Sequence, residues 1–438
     1  MGGAEDAEAD AMCSAVERMD GEMAALALNE LPTDDYYEGC ENAEESEEEE
    51  ETPSAQRGSK RGWLGKVGKG LYRRAANLAT RGSAATQEDE DLRATIFACR
   101  LPKAAASGGV ACSDPEHAKI CRSVLSLMVS QMGRNLLTGG NVMNVSFPIQ
   151  CCQPRTILEI GSLMAGFTHH FLPRAAATTD PVERLKQVVS CFVATMTLTA
   201  GNFLKPLNPI LGETLQCELV GGTQLWMEQV CHHPPVSAFY LKSGAGDYTV
   251  SGHQTFTVGF GYNKMLIRNK GLRTVTFQDG GVVALDFPPD RFLNVFWGDM
   301  IHETFETQTF WDESNKLRCR LTFGNPTGRK GVPSDWFEGV IERYEPSAPE
   351  VQGDVLSSVE GSWVGFIDFD KVRYWDYRTT DKSPSSAPAS VLPSDSRKRA
   401  DRNCLVAKDF RAAQGHKTRL EEQQRKERHL REAAGTAR

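Results

Sequence analysis

Apolar residues along this chain recur first at a helical period and later at a strand period. The helical period covers 119–137 and 157–171, and a third helix is predicted to begin at Asp180, an N-cap residue followed by proline. Beyond Leu198, short segments alternate apolar and polar residues between turn residues. The predicted strands cover 213–220, 224–231, 236–242, 248–258, 273–277, 317–323 and 336–343. So many strands without intervening helices predict an antiparallel sheet that curls or closes, and a polar helix over about 403–432 follows them.

The charge of the chain divides it into blocks. The formal net charge is −9, but residues 1–56 carry nineteen acidic residues and one basic residue, whereas 57–83 carry eight basic residues and no acidic one. An acidic block repels itself and buries little, so 1–56 is predicted to be a disordered tail. A basic amphipathic segment over 57–83 and a linker over 84–115 then lead to a globular domain over 116–438.

The basic segment has the pattern of a membrane-binding helix. Trp63, Val67 and Leu71 recur at helical spacing, and Lys66 falls on the other side. Such a segment can lie in an anionic membrane surface with its apolar side chains inserted. A flexible basic linker, or a strip that folds back onto the acidic tail, is the alternative interpretation.

The acidic tail contains one aromatic pair. Tyr36 and Tyr37 stand side by side between acidic residues, namely Asp35, Glu38 and Glu41. The segment resembles the FFAT motif, two phenylalanines in an acidic tract, which binds VAP receptors on the endoplasmic reticulum. An aromatic pair can anchor in a pocket while the acids approach a basic surface. A chance Tyr-Tyr pair in a disordered tail is the alternative.

Composition argues against several classes of protein. The twelve cysteines include no C-x-x-C pair, so we expect reduced thiols in a cytoplasmic protein and no structural zinc site. The N-terminus is acidic where a secretory signal would be basic and then apolar, and the longest apolar stretch, 188–198, is too short to span a bilayer. No G-x-S-x-G elbow and no Walker A loop occur. We expect no enzyme activity, no cofactor, no metal and no nucleic-acid partner.

Two short motifs carry the candidate chemistry. In LKPLNPILGE, residues 204–213, two prolines stiffen the backbone around a cation, Lys205, and an amide, Asn208, and EQVCHHPP, residues 228–235, ends a strand with two histidines. Alternation along a strand would direct His232 and His233 to opposite faces. The double proline ends the strand, however, so both imidazoles can meet one anionic ligand. One core histidine and one exposed histidine is the alternative.

These motifs resemble those of the oxysterol-binding-protein-related lipid transfer proteins. EQVCHHPP is similar to the family signature EQVSHHPP with Cys231 in place of serine, and LKPLNPILGE is similar to its second landmark. The segments PSDSR, 393–397, and KTRLEEQQR, 417–425, resemble the closing segment of the same family. The likeness covers about 116–432. No pleckstrin-homology pattern precedes it, which indicates a short form.

The resemblance implies a mainly β fold with flanking helices: an incomplete antiparallel β-barrel enclosing a lipid tunnel, an N-terminal helical lid and a C-terminal helix. It also implies a phosphatidylinositol 4-phosphate headgroup site at the tunnel mouth. The residues that match this site are Lys205, Asn208, His232, His233, Lys417, Glu421 and Arg425. The apolar helix is the candidate lid, with Val124, Leu125, Leu127 and Met128.

The function that the resemblance implies is lipid exchange. Phosphatidylinositol 4-phosphate would occupy the tunnel, and a second lipid, a sterol or phosphatidylserine, would compete for the same space. Such exchange would take place between membranes at endoplasmic reticulum contact sites. A sensor or tether that binds lipid without net transfer is the alternative. A cysteine hydrolase built on Cys231 and His232 is disfavoured, because adjacent residues on one strand point apart.

Overall fold

The computed structural model describes residues 86–132, 147–232, 234–261, 263–347 and 353–435, and residues 126–132 by their backbone alone. The acidic tail with its tyrosine pair, the basic segment and His233 lie outside these residues. Among the described residues, no helix combines the length and the apolar character needed to cross a membrane.

The first described elements fall in the range that the sequence assigned to a linker. Helix α1, Gln87–Cys99, starts at a capping box formed by Thr86 and Asp89, and strand β1, Val110–Ala111, follows it. Ile96 is fully buried against Trp336 in a small apolar cluster. The linker prediction for 84–115 therefore needs correction. The sequence did not indicate α1 because only two of its side chains are buried, so its apolar residues do not form a detectable helical period.

The helices that precede the sheet agree with the predicted positions except in one place. They are α2, Pro115–Met132; α3, Ile157–Gly161; α4, Thr168–Ala177; and α5, Pro181–Thr199. Asp180 accepts a hydrogen bond from the Val182 N–H and caps α5, as predicted. The predicted helix over 157–171 is interrupted, because the chain tightens into a 3-10 helix over Ser162–Ala165 and then passes close to Leu198 at Gly166. A Cβ atom there would lie 2.3 Å from a Leu198 methyl carbon.

A sixteen-stranded antiparallel sheet forms the body of the protein. Besides β1, its strands are β4, Thr214–Leu219; β5, Gln224–His232; β6, Pro235–Lys242; β7, Tyr248–Gly261; β8, Lys264–Phe277; β9, Val282–Leu285; β10, Asp290–Leu293; β11, Ile301–Thr304; β12, Glu306–Asp312; β13, Leu317–Phe323; β14, Trp336–Arg343; β15, Val355–Ser362; β16, Phe366–Phe369; β17, Val372–Asp376; and β18, Ser385–Ser386. Their order in the sheet is β17-β16-β15-β14-β13-β12-β9-β8-β7-β6-β5-β4-β18, with β10, β11 and β1 attached beside β8. Within the described part of the chain the two end strands do not pair, so the barrel is incomplete, as predicted.

A separate pair of short strands lies beside α3. Strand β2, Cys152–Thr156, runs parallel to β3, Lys205–Leu207, and pairs Cys152 with Lys205. This pairing holds the start of the LKPLNPILGE motif against the segment that follows α2.

Besides the cluster around Ile96 and Trp336, two further apolar clusters, called here the larger and the smaller cluster, pack against the sheet. In the larger one, α5 contributes Val188 and Phe192, which lie against inward-facing residues such as Val275 and Ile367. The smaller one joins α2 to the ends of β7 and β10 and to the C-terminal helix. Its buried members are Val124, Leu125, Ile149, Cys151, Cys152, Leu207, Phe260, Phe292, Val295, Leu405 and Ala413.

The predicted C-terminal helix is divided in two. Helix α6, Ala400–Val406, ends before Lys408, which adopts a left-handed φ of 61°. Asp409 then caps α7, Phe410–Ala433, by accepting a 2.9 Å hydrogen bond from the Ala412 N–H. The break turns α7 so that Ala413 is fully buried in the smaller cluster. The sequence did not show this break, because a polar helix has no strong apolar period to interrupt.

Candidate functional site

An apolar cavity of about 380 Å³ lies between the sheet and helices α2, α3 and α5. Inward-facing residues of β7 and β8 line it at every second position, as the pleat of a strand requires. On β7 and β8 these residues are Gln254, Phe256, Val258, Met265, Ile267, Asn269 and Arg273. The volume falls within the range of pockets that hold one small ligand.

Helix α2 forms one wall of this cavity. Val124 and Leu125 are 8% exposed and line it, and their role as a lid stays a prediction. Leu127 and Met128 lie on the same helix, but their side chains are not among those described. The Cys121 thiol donates a 3.2 Å hydrogen bond to the Phe203 carbonyl, and Arg122 donates to the Gly298 carbonyl. Two polar contacts thus join this wall to neighbouring loops.

Lys205 and Asn208 lie together at one end of the cavity. The Lys205 ammonium donates a 2.6 Å hydrogen bond to Asn208 Oδ1 and lies 5.4 Å from the centre of the Phe147 ring. Both residues line the cavity. Pro206 and Pro209 restrict the backbone between and after them, so this geometry is set locally.

The C-terminal helix brings a second cation to the same end. Lys417 forms an ion pair with Glu421, one turn along α7, and the Lys417 side chain is only 12% exposed. Burial lowers the pKa of Lys205, and the Lys417 charge lowers it further, whereas the two neighbouring thiols, Cys151 and Cys152, and Glu421 oppose this change. Lys205, Asn208, Lys417 and Glu421 therefore lie near one another, and their role as headgroup residues stays a prediction.

His232 is held next to α7. It ends β5, is half-buried, and its Nδ1 lies 3.4 Å from Gln424 Nε2. The ladder between β5 and β6 shifts register between Gln229 and Cys231. Buried Gln229 stabilises this bulge, since its amide donates a 2.6 Å hydrogen bond to the Cys231 carbonyl and accepts one from Ser237. Whether His233 faces the same end stays a prediction.

The remaining predicted residue, Arg425, is exposed one turn beyond Glu421 on α7. Sequence reasoning assigned no role to Gln424, although it is the α7 residue that reaches His232. A helical wheel shows Gln424 three residues after Glu421, on the same face, which was the available signal.

A buried network of charged residues contacts the LKPLNPILGE motif. Arg399 donates a 2.7 Å hydrogen bond to the Asn208 carbonyl and a 2.8 Å one to the Glu213 carboxylate. Arg399 also pairs with Asp401, and the carboxylates of both acids are fully buried. Glu213 in turn accepts a 3.0 Å hydrogen bond from the Ile210 N–H. The sequence did not identify Arg399, because it lies almost 200 residues after the motif that it contacts.

Comparison with known proteins identifies the family. The family model described as "Oxysterol-binding protein" matches residues 128–388 and 377–437. Oxysterol-binding protein 9 of Dictyostelium discoideum is 31% identical over 338 residues, which are 73% of this chain and 78% of that protein. Oxysterol-binding protein-related protein 3C of Arabidopsis thaliana is 28% identical over 66% of this chain and 67% of that protein.

Solved structures show the same fold. The chain is similar to the Osh3 ORD in complex with PI(4)P from Saccharomyces cerevisiae, with a TM-score of 0.55 and 20% identity over 81% of this chain and 89% of that one. It is also similar to the Osh1 ORD domain in complex with cholesterol, with a TM-score of 0.59 and 18% identity over 80% of this chain and 90% of that one. At these identities the likeness establishes the fold. Together with the family match, it shows that this chain belongs to the oxysterol-binding protein family, whose members bind and transfer lipids and are not enzymes, as the sequence predicted.

Proposed function

We propose that this protein extracts phosphatidylinositol 4-phosphate into its cavity and exchanges it for a second lipid, a sterol or phosphatidylserine. The observation that carries the proposal is that Lys205 and Asn208 lie on the cavity wall, while the Lys417–Glu421 ion pair of α7 is close enough to act on the Lys205 charge. Two ammonium groups attract a phosphate, and an amide and a carboxylate suit inositol hydroxyls. The His232 imidazole beside α7 is a further phosphate partner.

The apolar cavity provides what lipid extraction requires. Each methylene that leaves a bilayer for water costs about 0.8 kcal/mol, so a two-chain lipid with about 30 methylenes would cost more than about 20 kcal/mol. A carrier must therefore enclose the tails. Helix α2, with Val124 and Leu125 against the cavity, is the proposed lid over them.

The relatives support both ligands of the proposed exchange. One solved neighbour is described in complex with PI(4)P and another in complex with cholesterol. The motif residues of this chain supply the headgroup contacts, and the same cavity offers its single apolar volume to the second lipid. Two ligands that need one volume exclude each other, and a phosphoinositide gradient can then drive the second lipid against its own gradient.

The proposed location is the cytoplasmic side of endoplasmic reticulum contact sites. Two sequence features support it: the FFAT-like segment around Tyr36 and Tyr37, for a VAP-type receptor, and the basic segment around Trp63, for a membrane surface.

Liposome extraction tests the headgroup site. Wild type should remove labelled phosphatidylinositol 4-phosphate from liposomes, and a His232→Ala/His233→Ala variant should lose at least 90% of this extraction. Lys417→Ala should have a similar effect, whereas Lys426→Ala, an exposed lysine on the same helix, should match wild type. If the histidine variant extracts the lipid as well as wild type does, the headgroup assignment is wrong.

A transfer assay separates a carrier from a sensor. Donor liposomes with phosphatidylinositol 4-phosphate and acceptor liposomes with a fluorescent sterol should exchange both lipids when the protein is added. A sensor or tether would bind the lipids without equilibrating the two membranes.

A further inference from the structure

Besides Lys205 and Asp290, one more charged side chain lines the cavity. Arg273, on β8, lines the cavity, and its guanidinium carbon lies 4.0 Å from the centre of the Phe287 ring and 5.4 Å from that of Phe192. Its Nε is buried without a hydrogen-bond partner. Within the part of the chain that the structure describes, this guanidinium forms no hydrogen bond and no ion pair.

Arg273 lies far from the end that holds Lys205. Met265 and Ile267 of the same strand pack against the smaller apolar cluster, which contains the α2 residues, whereas Arg273 lies on Phe192 of the larger cluster. Six residues separate Arg273 from Ile267, which corresponds to roughly 20 Å along an extended strand. The guanidinium is therefore at a second end of the cavity.

The protein leaves this cation without a direct counter-ion. Burial lowers the pKa of Arg273 to about 10, so the group stays protonated at neutral pH. Asp286 is the carboxylate whose charge acts on Arg273, but the two side chains form no ion pair, and the Asp286 carboxylate instead accepts a 2.8 Å hydrogen bond from the Thr309 N–H. A buried guanidinium with unpaired donors is unfavourable until an acceptor arrives.

A second polar group at this end also lacks a partner. Gln308 lines the cavity and is 2% exposed; its amide nitrogen donates a 3.1 Å hydrogen bond to the Asp286 carbonyl, while its Oε1 has no partner among the described residues. A protein interior pairs nearly all such atoms. Because Oε1 is an acceptor and a carboxylate has no proton to donate, this atom marks a place for a water bound between Gln308 and the ligand, whereas the Arg273 donors are left for the ligand itself.

We infer that Arg273 forms a subsite for the carboxylate of an acidic lipid whose apolar body fills the cavity. This inference rests on the proposed lipid binding and names a chemical class for the second ligand. The planar guanidinium offers parallel N–H donors that match a carboxylate, and the two phenylalanine rings leave its edge for this contact. A neutral hydroxyl would accept one hydrogen bond but would leave the positive charge uncompensated.

A pair of matched ligands tests the Arg273 subsite, with the full-length chain as the protein. The probes are palmitic acid and methyl palmitate, which share one apolar chain and differ in charge, and the measurement is the dissociation constant of each. Wild type should bind the acid at least tenfold more tightly than the ester. Arg273→Gln should reduce this ratio to about one by weakening acid binding, with little change for the ester.

Three variants make the outcome specific. Arg268→Gln removes an arginine from the exposed face of β8 and should keep the wild-type ratio. Arg273→Lys keeps the charge without the planar fork and should give an intermediate ratio. The double variant Lys205→Ala/Lys417→Ala should keep the ratio while losing phosphoinositide extraction. Thermal unfolding of each variant shows whether it is folded.

Several results would overturn the inference. Equal affinities of wild type for acid and ester, or an equal loss of both ligands in Arg273→Gln, would show that Arg273 does not select a carboxylate. A ratio that survives Arg273→Gln but disappears in Lys205→Ala/Lys417→Ala would place the carboxylate at the other end. Failure of phosphoinositide extraction with an intact ratio would instead refute the proposed exchange and leave the subsite.

Discussion

The Lys205 ammonium and the Asn208 side-chain carbonyl are joined by a 2.6 Å hydrogen bond at the end of the cavity. In the proposed headgroup site, this bond positions the ammonium group for a phosphate, while burial and the Lys417 charge both lower its pKa. The proposal therefore implies that the site binds an anion at some expense to the stability of the lipid-free protein.

Lys205→Met should separate binding from stability. The variant should lose at least 90% of phosphoinositide extraction, because a donor to the phosphate is missing. Its free energy of unfolding without lipid should rise by about 1 kcal/mol, because a partly buried charge that lacks a close anion is removed. Chemical denaturation and liposome extraction on the same preparation check this. A loss of stability together with binding would contradict the proposed role.

Arg399→Met should destabilise the protein by about 3–5 kcal/mol, because it leaves the buried carboxylates of Glu213 and Asp401 without their cation. Denaturant unfolding measures the effect. The control is Arg268→Met, which breaks an exposed pair with Glu306 and should cost less than about 1 kcal/mol. Similar losses in both variants would show that the network beneath Asn208 contributes little.

Asp286 should make stability depend on pH. Burial raises its folded-state pKa to about 6 from the ordinary 3.8. The folded protein therefore holds its proton more tightly than the unfolded chain. The stability from Asp286 is fully present below about pH 4 and decreases as pH rises to about 6, by up to about 3 kcal/mol.

Asp286→Asn should remove this decrease, which unfolding curves between pH 4 and pH 7 would show. Asp279→Asn is the opposite control, since the hydrogen bond from Arg184 lowers the pKa of Asp279. Its stabilising contribution is lost only as pH falls through that lowered value, below about pH 4, so Asp279→Asn should leave the slope between pH 4 and pH 7 unchanged. If both variants change the pH slope in the same sense, the burial argument for Asp286 fails.

Filling the cavity should block lipid binding. Ile267 lines the cavity, so Ile267→Trp should occupy part of its volume and reduce co-purified lipid, measured by native mass spectrometry, at least tenfold. Arg268→Trp places the same ring on the opposite, exposed face of β8 and should retain the lipid. Thermal unfolding shows that each variant is folded. Equal lipid content in the two variants would show that ligands do not enter this cavity.

The strand positions were predictable because a pleated strand with one buried face must alternate apolar and polar residues. The predicted segments 224–231, 317–323 and 336–343 correspond to β5, β13 and β14 to within one residue. The family was predictable because two proline-rich motifs each combine rare residues in one short stretch. These signals are local, so they need no knowledge of the fold.

Contacts between distant parts of the chain could not be predicted from the sequence, because they depend on how the sheet and the helices fold together. The pairing of Arg399 with Glu213, the contact of Gln424 with His232 and the unpaired guanidinium of Arg273 each depend on residues that are far apart in the chain or on a space that no residue fills. Alternation shows which face of a strand a side chain occupies, but it does not show what lies opposite. Local pattern therefore specified the strands and the two motifs that indicate the family of this protein, whereas packing of the helices across the sheet determined the cavity and the environment of each charge within it.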